Sequence, residues 1–137
     1  MDSHFRIRVL IVEDDPMTQA GLRYFMEGNP QLQLVSLAPS GEKAIEFCGQ
    51  SEPDVVVMDM HLPGIDGVAT TAAIKRRYPR VQVVALSGSD DRDLMARAYE
   101  AGVHSYVLKT SPAHDLVDAI RTAYVPRAPQ ARPADSA

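Results

Sequence analysis

The residues of this chain best suited to chemistry are carboxylates placed where hydrophobic runs stop. Val55-Val56-Val57-Met58 leads directly into Asp59, then into Met60-His61-Leu62-Pro63-Gly64. Ile7-Arg8-Val9-Leu10-Ile11-Val12 leads in the same way into Glu13, Asp14 and Asp15. A run rich in β-branched residues that ends in an acid reads as a buried strand. It delivers the acid to the carboxyl edge of the sheet, where open parallel sheets bind their ligands. If the two strands are neighbours, these carboxylates converge. Such charges repel unless a cation lies among them, and oxygen ligands with room for water suit Mg²⁺. Ser87 ends Val83-Val84-Ala85-Leu86, and Lys109 ends Tyr106-Val107-Leu108. One acid at a strand end is weak evidence, because it more often caps the following helix. An acidic pair, a single acid, a hydroxyl and a lysine, in chain order at successive strand ends, make a far more specific pattern.

These side chains require strands and helices in strict alternation. Apolar runs at about 7–12, 32–37, 55–58, 81–86 and 104–108 read as strands, each followed by turn residues and a helical pattern. The first helix starts near Pro16, a residue suited to the first helical turn. Met17, Ala20, Leu22, Phe25 and Met26 approximate its apolar face, and Gly28-Asn29-Pro30 ends it. The second helix follows Ser40. The third runs from about Gly67 to Tyr78 and stops before Pro79. The fourth covers about Asp91 to Ala101 and closes at Gly102. The fifth begins near Pro112 and carries Leu116, Val117, Ile120 and Ala123.

This is a (βα)₅ order, which argues for an α/β, doubly wound parallel sheet with helices on both faces. Right-handed crossovers leave few topologies. The five-stranded flavodoxin-like order 2-1-3-4-5 places strands 1 and 3 side by side where the winding reverses. Glu13, Asp14 and Asp59 then meet.

The 137 residues fit one domain over 1–124 with a tail. Hydrophobic content of 45% and a net charge of −4 are those of a globular protein, not of a nucleic-acid binder. No apolar stretch is long enough to span a membrane, and the N-terminus lacks a signal-peptide pattern. Cys48 is the single cysteine, which fits a reducing cytoplasm and a packing role. Lys75-Arg76-Arg77 reads as a solvated helix end. From Val125 to Ala137 the chain has three prolines and no further large apolar residue, as in a linker or disordered tail.

Four segments carry a family resemblance over about residues 6–124: Val12-Glu13-Asp14-Asp15-Pro16, Asp59-Met60-His61-Leu62-Pro63-Gly64-Ile65-Asp66-Gly67, Leu86-Ser87-Gly88 and Tyr106-Val107-Leu108-Lys109. Together they resemble the receiver domain of a two-component response regulator. Lys109-Thr110-Ser111-Pro112, without proline directly after the lysine, and Asp15-Pro16-Met17 resemble the LuxR/NarL class in particular.

The resemblance implies a phosphoryl-accepting switch rather than a turnover enzyme. Asp59 would take the phosphoryl group from a sensor histidine kinase. Mg²⁺ would be held by Asp14, by Glu13 through water, by Asp59 and by the backbone carbonyl of His61. Lys109 and Ser87 would contact the phosphoryl oxygens, Gly88 would leave its approach open, and Tyr106 would report the change to the surface of the fourth helix, fifth strand and fifth helix. Homodimerisation on phosphorylation is implied, as is DNA binding through a C-terminal domain that these residues do not include. A stand-alone receiver serving a phosphorelay or a protein contact is the alternative. Asp15 and Asp66 are expected to start helices, and the His61 side chain to face solvent. A haloacid-dehalogenase-like phosphatase would want a second aspartate two places after the nucleophile, where this chain has His61.

Overall fold

A computed structural model describes residues 6–126. The remainder of the proline-rich tail, 127–137, lies outside the described residues. Strands β1 (Ile7–Val12), β2 (Leu32–Ala38), β3 (Val55–Asp59), β4 (Gln82–Ser87) and β5 (Ser105–Leu108) alternate with helices α1 (Pro16–Glu27), α2 (Gly41–Ser51), α3 (Gly67–Arg77), α4 (Arg92–Ala101) and α5 (Ala113–Ala123). The sheet is parallel, in the order β2-β1-β3-β4-β5. This is the expected doubly wound fold, and β1 and β3 are paired at its switch point.

The uninterrupted apolar runs of β1, β3 and β4 follow from helices covering both faces. Leu10, Val12, Val56, Met58, Val83 and Ala85 pack under α2, α3 and α4, with Ala44, Cys48, Ile74, Leu94 and Ala98. Val9, Ile11, Val55, Val57, Val84 and Leu86 pack on the other side under α1 and α5, with Met26, Leu116 and Ile120. At about 25 cal/mol per Å² of apolar surface, this double burial is the main force holding the strand ends in place.

Helix starts follow local chemistry. The Asp15 carboxylate accepts from the Thr18 amide at 2.8 Å, that of Asp66 from Ala69 at 2.8 Å, and that of Asp91 from Asp93 at 3.1 Å. Ser40 caps α2. Each cap satisfies an amide that a helix start would otherwise leave unpaired. Gly102 closes α4 at φ +115°, a left-handed conformation that glycine adopts without strain.

The boundaries shift slightly from the sequence reading. β3 and β4 each run on to include the candidate site residue: Asp59 pairs with Leu86, and Ser87 with Leu108. The ladder continues because both residues stay buried and keep extended backbone at the strand end. Two surface expectations are corrected. Met17 is 82% exposed and Ala20 is exposed, so α1 turns Leu22, Phe25 and Met26 inward instead. Lys75 is not part of a solvated face. Its Nζ donates to the carbonyls of Pro79 (3.0 Å) and Val81 (2.7 Å), tying down the chain after α3. Burial of its stem lowers its pKa. Arg76 and Arg77 are exposed as expected.

Candidate functional site

The site lies at the carboxyl edge of the sheet, above β1, β3, β4 and β5. Asp59 is 3% exposed and Glu13 1%, whereas Asp14 is open to solvent. Each of the three offers an oxygen, and these oxygens lie within 4.8 Å of one another. The pairing of Val12 with Met58 brings the two strand ends into register and so creates the cluster.

Lys109 completes it from β5. Its Nζ lies 3.2 Å from Glu13 Oε1 and 3.6 Å from Asp59 Oδ1. Glu13 is held further by the Asp15 amide, which donates to Oε2 at 3.0 Å. Burial raises the pKa of Glu13, the nearby Asp59 charge adds to the rise, and the Asp15 amide and Lys109 oppose it. Asp59 Oδ1 accepts from the His61 amide at 3.0 Å. The His61 side chain is exposed. The donor set is all oxygen, with no thiol or imidazole, and a nearly buried carboxylate sits against two others. That chemistry fits a hard, oxygen-seeking divalent cation.

The loop after β3 folds tightly against the strand end, and two glycines make this possible. Gly64 has φ +72°. At Gly67 a Cβ would lie 2.5 Å from the Asp59 carbonyl oxygen and 2.7 Å from Met60 Cα, so α3 can start against the strand end only without a side chain.

With this geometry the comparisons with known proteins agree. Residues 9–121 match the family described as the response regulator receiver domain. The chain belongs to that family. The receiver is 36% identical over 117 residues to the transcriptional regulatory protein LiaR of Bacillus subtilis, covering 85% of this chain and 56% of that protein. It is 35% identical over 115 residues to the response regulator protein VraR of Staphylococcus aureus, covering 84% and 55%. The chain thus spans about half the length of the curated relatives it matches. Among solved structures it resembles the receiver domain of NarL from Mycobacterium tuberculosis, with TM-score 0.82 and 25% identity over 86% of this chain and 95% of that one. A LuxR-family regulator from Aurantimonas gives TM-score 0.82 and 30% identity over 85% and 84%. The likeness to the LuxR/NarL class read from the sequence is borne out.

Ser87 is fully buried, and its Oγ accepts from the Ser89 amide at 3.1 Å. Tyr106 is half-buried, and its hydroxyl donates to the Ser89 carbonyl at 2.7 Å. Ser89 therefore links the β4 hydroxyl to the β5 aromatic in this receiver, a role that nothing in the sequence pattern signals. Gln19, also missed, donates from Nε2 to the Glu13 carbonyl at 2.6 Å. Its place in α1, six residues beyond Glu13, was the available clue. Gly88 is exposed, and a Cβ there would meet nothing within 4 Å. The protein's own packing therefore does not require glycine at this position. Asp15 and Asp66 cap helices, as read from the sequence, and hydrogen bonds from the Thr18 amide and hydroxyl lower the pKa of Asp15. No described helix is long and apolar enough to cross a membrane.

Proposed function

We propose that this receiver accepts a phosphoryl group on Asp59 from a sensor histidine kinase, in the presence of Mg²⁺, and changes its α4-β5-α5 surface in response. The observation that carries the reading is the placement of Lys109 Nζ between Glu13 and Asp59, beside three carboxylate oxygens within 4.8 Å. This arrangement suits a transfer that depends mainly on positioning and on charge stabilisation.

Asp59 is the nucleophile. One of its carboxylate oxygens forms the new bond to phosphorus, and the kinase imidazole leaves with the electrons of the bond that breaks. Glu13, Asp14, Asp59 and the backbone carbonyl of His61 would hold Mg²⁺. When bound, the ion offsets the negative charge shared by the carboxylates and the phosphoryl oxygens. Lys109 pairs with one phosphoryl oxygen as a point charge. Ser87 donates its hydroxyl to another, and Gly88 leaves the approach open. Tyr106 then reports the movement of Ser87 to the outer surface. The product is a modified receiver, not a released molecule, so the chain works as a switch rather than a turnover enzyme.

The name of the relative LiaR, a transcriptional regulatory protein, supports a transcriptional output. We place the receiver in the cytoplasm, forming a homodimer on phosphorylation and reaching DNA through a C-terminal domain. The test is phosphotransfer. Wild-type protein with Mg²⁺ and a small phosphodonor should gain one acid-labile phosphoryl group by intact-mass spectrometry, and Asp59→Asn should gain none. Equal labelling of the two would end this reading.

A further inference from the structure

Beside Asp59 lies a cavity of about 500 Å³, walled by the loop after β3, the loop after β4 and the first turns of α4. Asp14, His61 and Ser89 line it together with Leu94 and Arg97 of α4. Arg97 is the one lysine or arginine lining this cavity. It is exposed and makes no hydrogen bond or ion pair among the described residues. Asp66 and Asp91 line the cavity, but each accepts a backbone amide at the start of α3 or α4. Arg97 thus brings the one guanidinium, free of any protein partner, to a cavity that Asp14 and His61 also line.

A phosphohistidine leaves as a neutral imidazole and has no use for that guanidinium. A small acyl phosphate does. When its P–O bond to the acyl oxygen breaks, the electron pair departs with a carboxylate, while an Asp59 oxygen forms the new P–O bond. No proton is needed. Charge develops on the leaving oxygen, on the side of phosphorus opposite the nucleophile, because attacking and leaving oxygens lie roughly in line. Guanidinium is the side chain best shaped to meet a carboxylate. The volume is ample for an acyl group of a few carbons.

We propose that Arg97 is a specificity-determining residue that favours small acyl phosphates as direct phosphodonors by stabilising the departing carboxylate. This rests on the phosphoryl-accepting reading of Asp59. The experiment compares two donors: acetyl phosphate, whose leaving group is an anion, and phosphoramidate, whose P–N bond breaks to release ammonia. Initial rates with Mg²⁺ at low ionic strength are measured by intact-mass spectrometry for wild type, Arg97→Ala and Arg97→Lys. The ratio of the acetyl phosphate rate to the phosphoramidate rate should fall about threefold to fivefold in Arg97→Ala, the scale of an exposed charge pair. It should be partly regained in Arg97→Lys, and the difference should shrink in high salt. An unchanged ratio in a wild-type-like background overturns the role of Arg97 and leaves Asp59 as acceptor. Wild type labelled by neither donor overturns the acceptor reading itself. Arg97 is exposed on a helix surface, so neither variant threatens the fold.

Discussion

The Tyr106 hydroxyl donates to the Ser89 carbonyl across 2.7 Å, and the Ser89 amide donates to Ser87 Oγ across 3.1 Å. One residue thus joins the two side chains proposed to answer phosphorylation. Turning Ser87 toward a phosphoryl oxygen moves its Oγ relative to the Ser89 amide, and the loop that carries Ser89 also holds the Tyr106 hydroxyl. A phosphoryl group adds about −1.5 to −2 charge at pH 7. It shifts the balance between two arrangements only by binding one better than the other.

The coupling can be separated from phosphorylation itself. Ser87→Ala should still take phosphate at Asp59 but lose most of the response. Tyr106→Phe should free the β4–α4 loop before any phosphate arrives. Backbone NMR with and without beryllofluoride reads both effects. Identical shift changes around Tyr106 and α4 in wild type and Ser87→Ala would show that the connection through Ser89 is idle.

Metal binding should depend on Asp14. Asp14→Asn should weaken Mg²⁺ at least about tenfold, since even groups outside the coordination sphere carry that much. Without metal the same variant should be no less stable than wild type, because one of three crowded charges is gone. Calorimetric titration and thermal melts give the two numbers. Undiminished Mg²⁺ affinity would remove Asp14 from the metal site.

The buried carboxylate sets a pH dependence of unusual sign. Burial raises the pKa of folded Glu13 above 4.5, so the folded state binds the Glu13 proton more tightly than the unfolded chain does. This contribution is favourable at low pH and is lost as pH climbs from 4.5 through the raised value. Metal-free Glu13→Gln should be free of that decline. The difference in unfolding free energy between variant and wild type, followed by urea melts from pH 4 upward, should move in favour of the variant. A difference that stays flat with pH would contradict it.

Gly67 is a packing prediction. In Gly67→Ala the new methyl group meets backbone atoms of Asp59 and Met60 that have little room to yield. The expected cost is about 1–3 kcal/mol, with slower phosphorylation as the loop after β3 shifts. Wild-type stability in a denaturant melt would mean that α3 retreats freely.

Cys48 should be inert in the folded protein. It is 2% exposed, and burial pushes its thiol from 9.0 to about 11. Iodoacetamide at pH 8 should label it only after unfolding. Rapid labelling of native protein would show that α2 opens far more readily than its packing allows.

Much of this was legible in the sequence because the strands are buried on both faces. Runs such as Val55-Val56-Val57-Met58 announce themselves, and the acid that ends each run marks the sheet edge. Helix caps were legible at Asp15 and Asp66 because capping is local chemistry. Met17 was misread because α1 is apolar on more than one side and the 3.6-residue period does not choose between them. Lys75 was misread because its partners, the carbonyls of Pro79 and Val81, belong to a turn whose path depends on tertiary folding. The Tyr106–Ser89 bond spans 17 positions and joins a side chain to a backbone carbonyl, a group every residue has, so no residue type betrays it.

Lys109 and Glu13 meet although 96 positions separate them. No short stretch of the chain holds even half of the site, and the lysine arrives on the last strand. A ribosome-bound or partly unfolded chain carries Asp59 in its sequence but not the cluster that the proposed phosphorylation needs. On the proposed function, competence to receive a signal comes only with closure of the whole sheet. On that proposal the lysine–carboxylate contact would serve as an inspection stamp, leaving unfinished copies silent rather than giving false output.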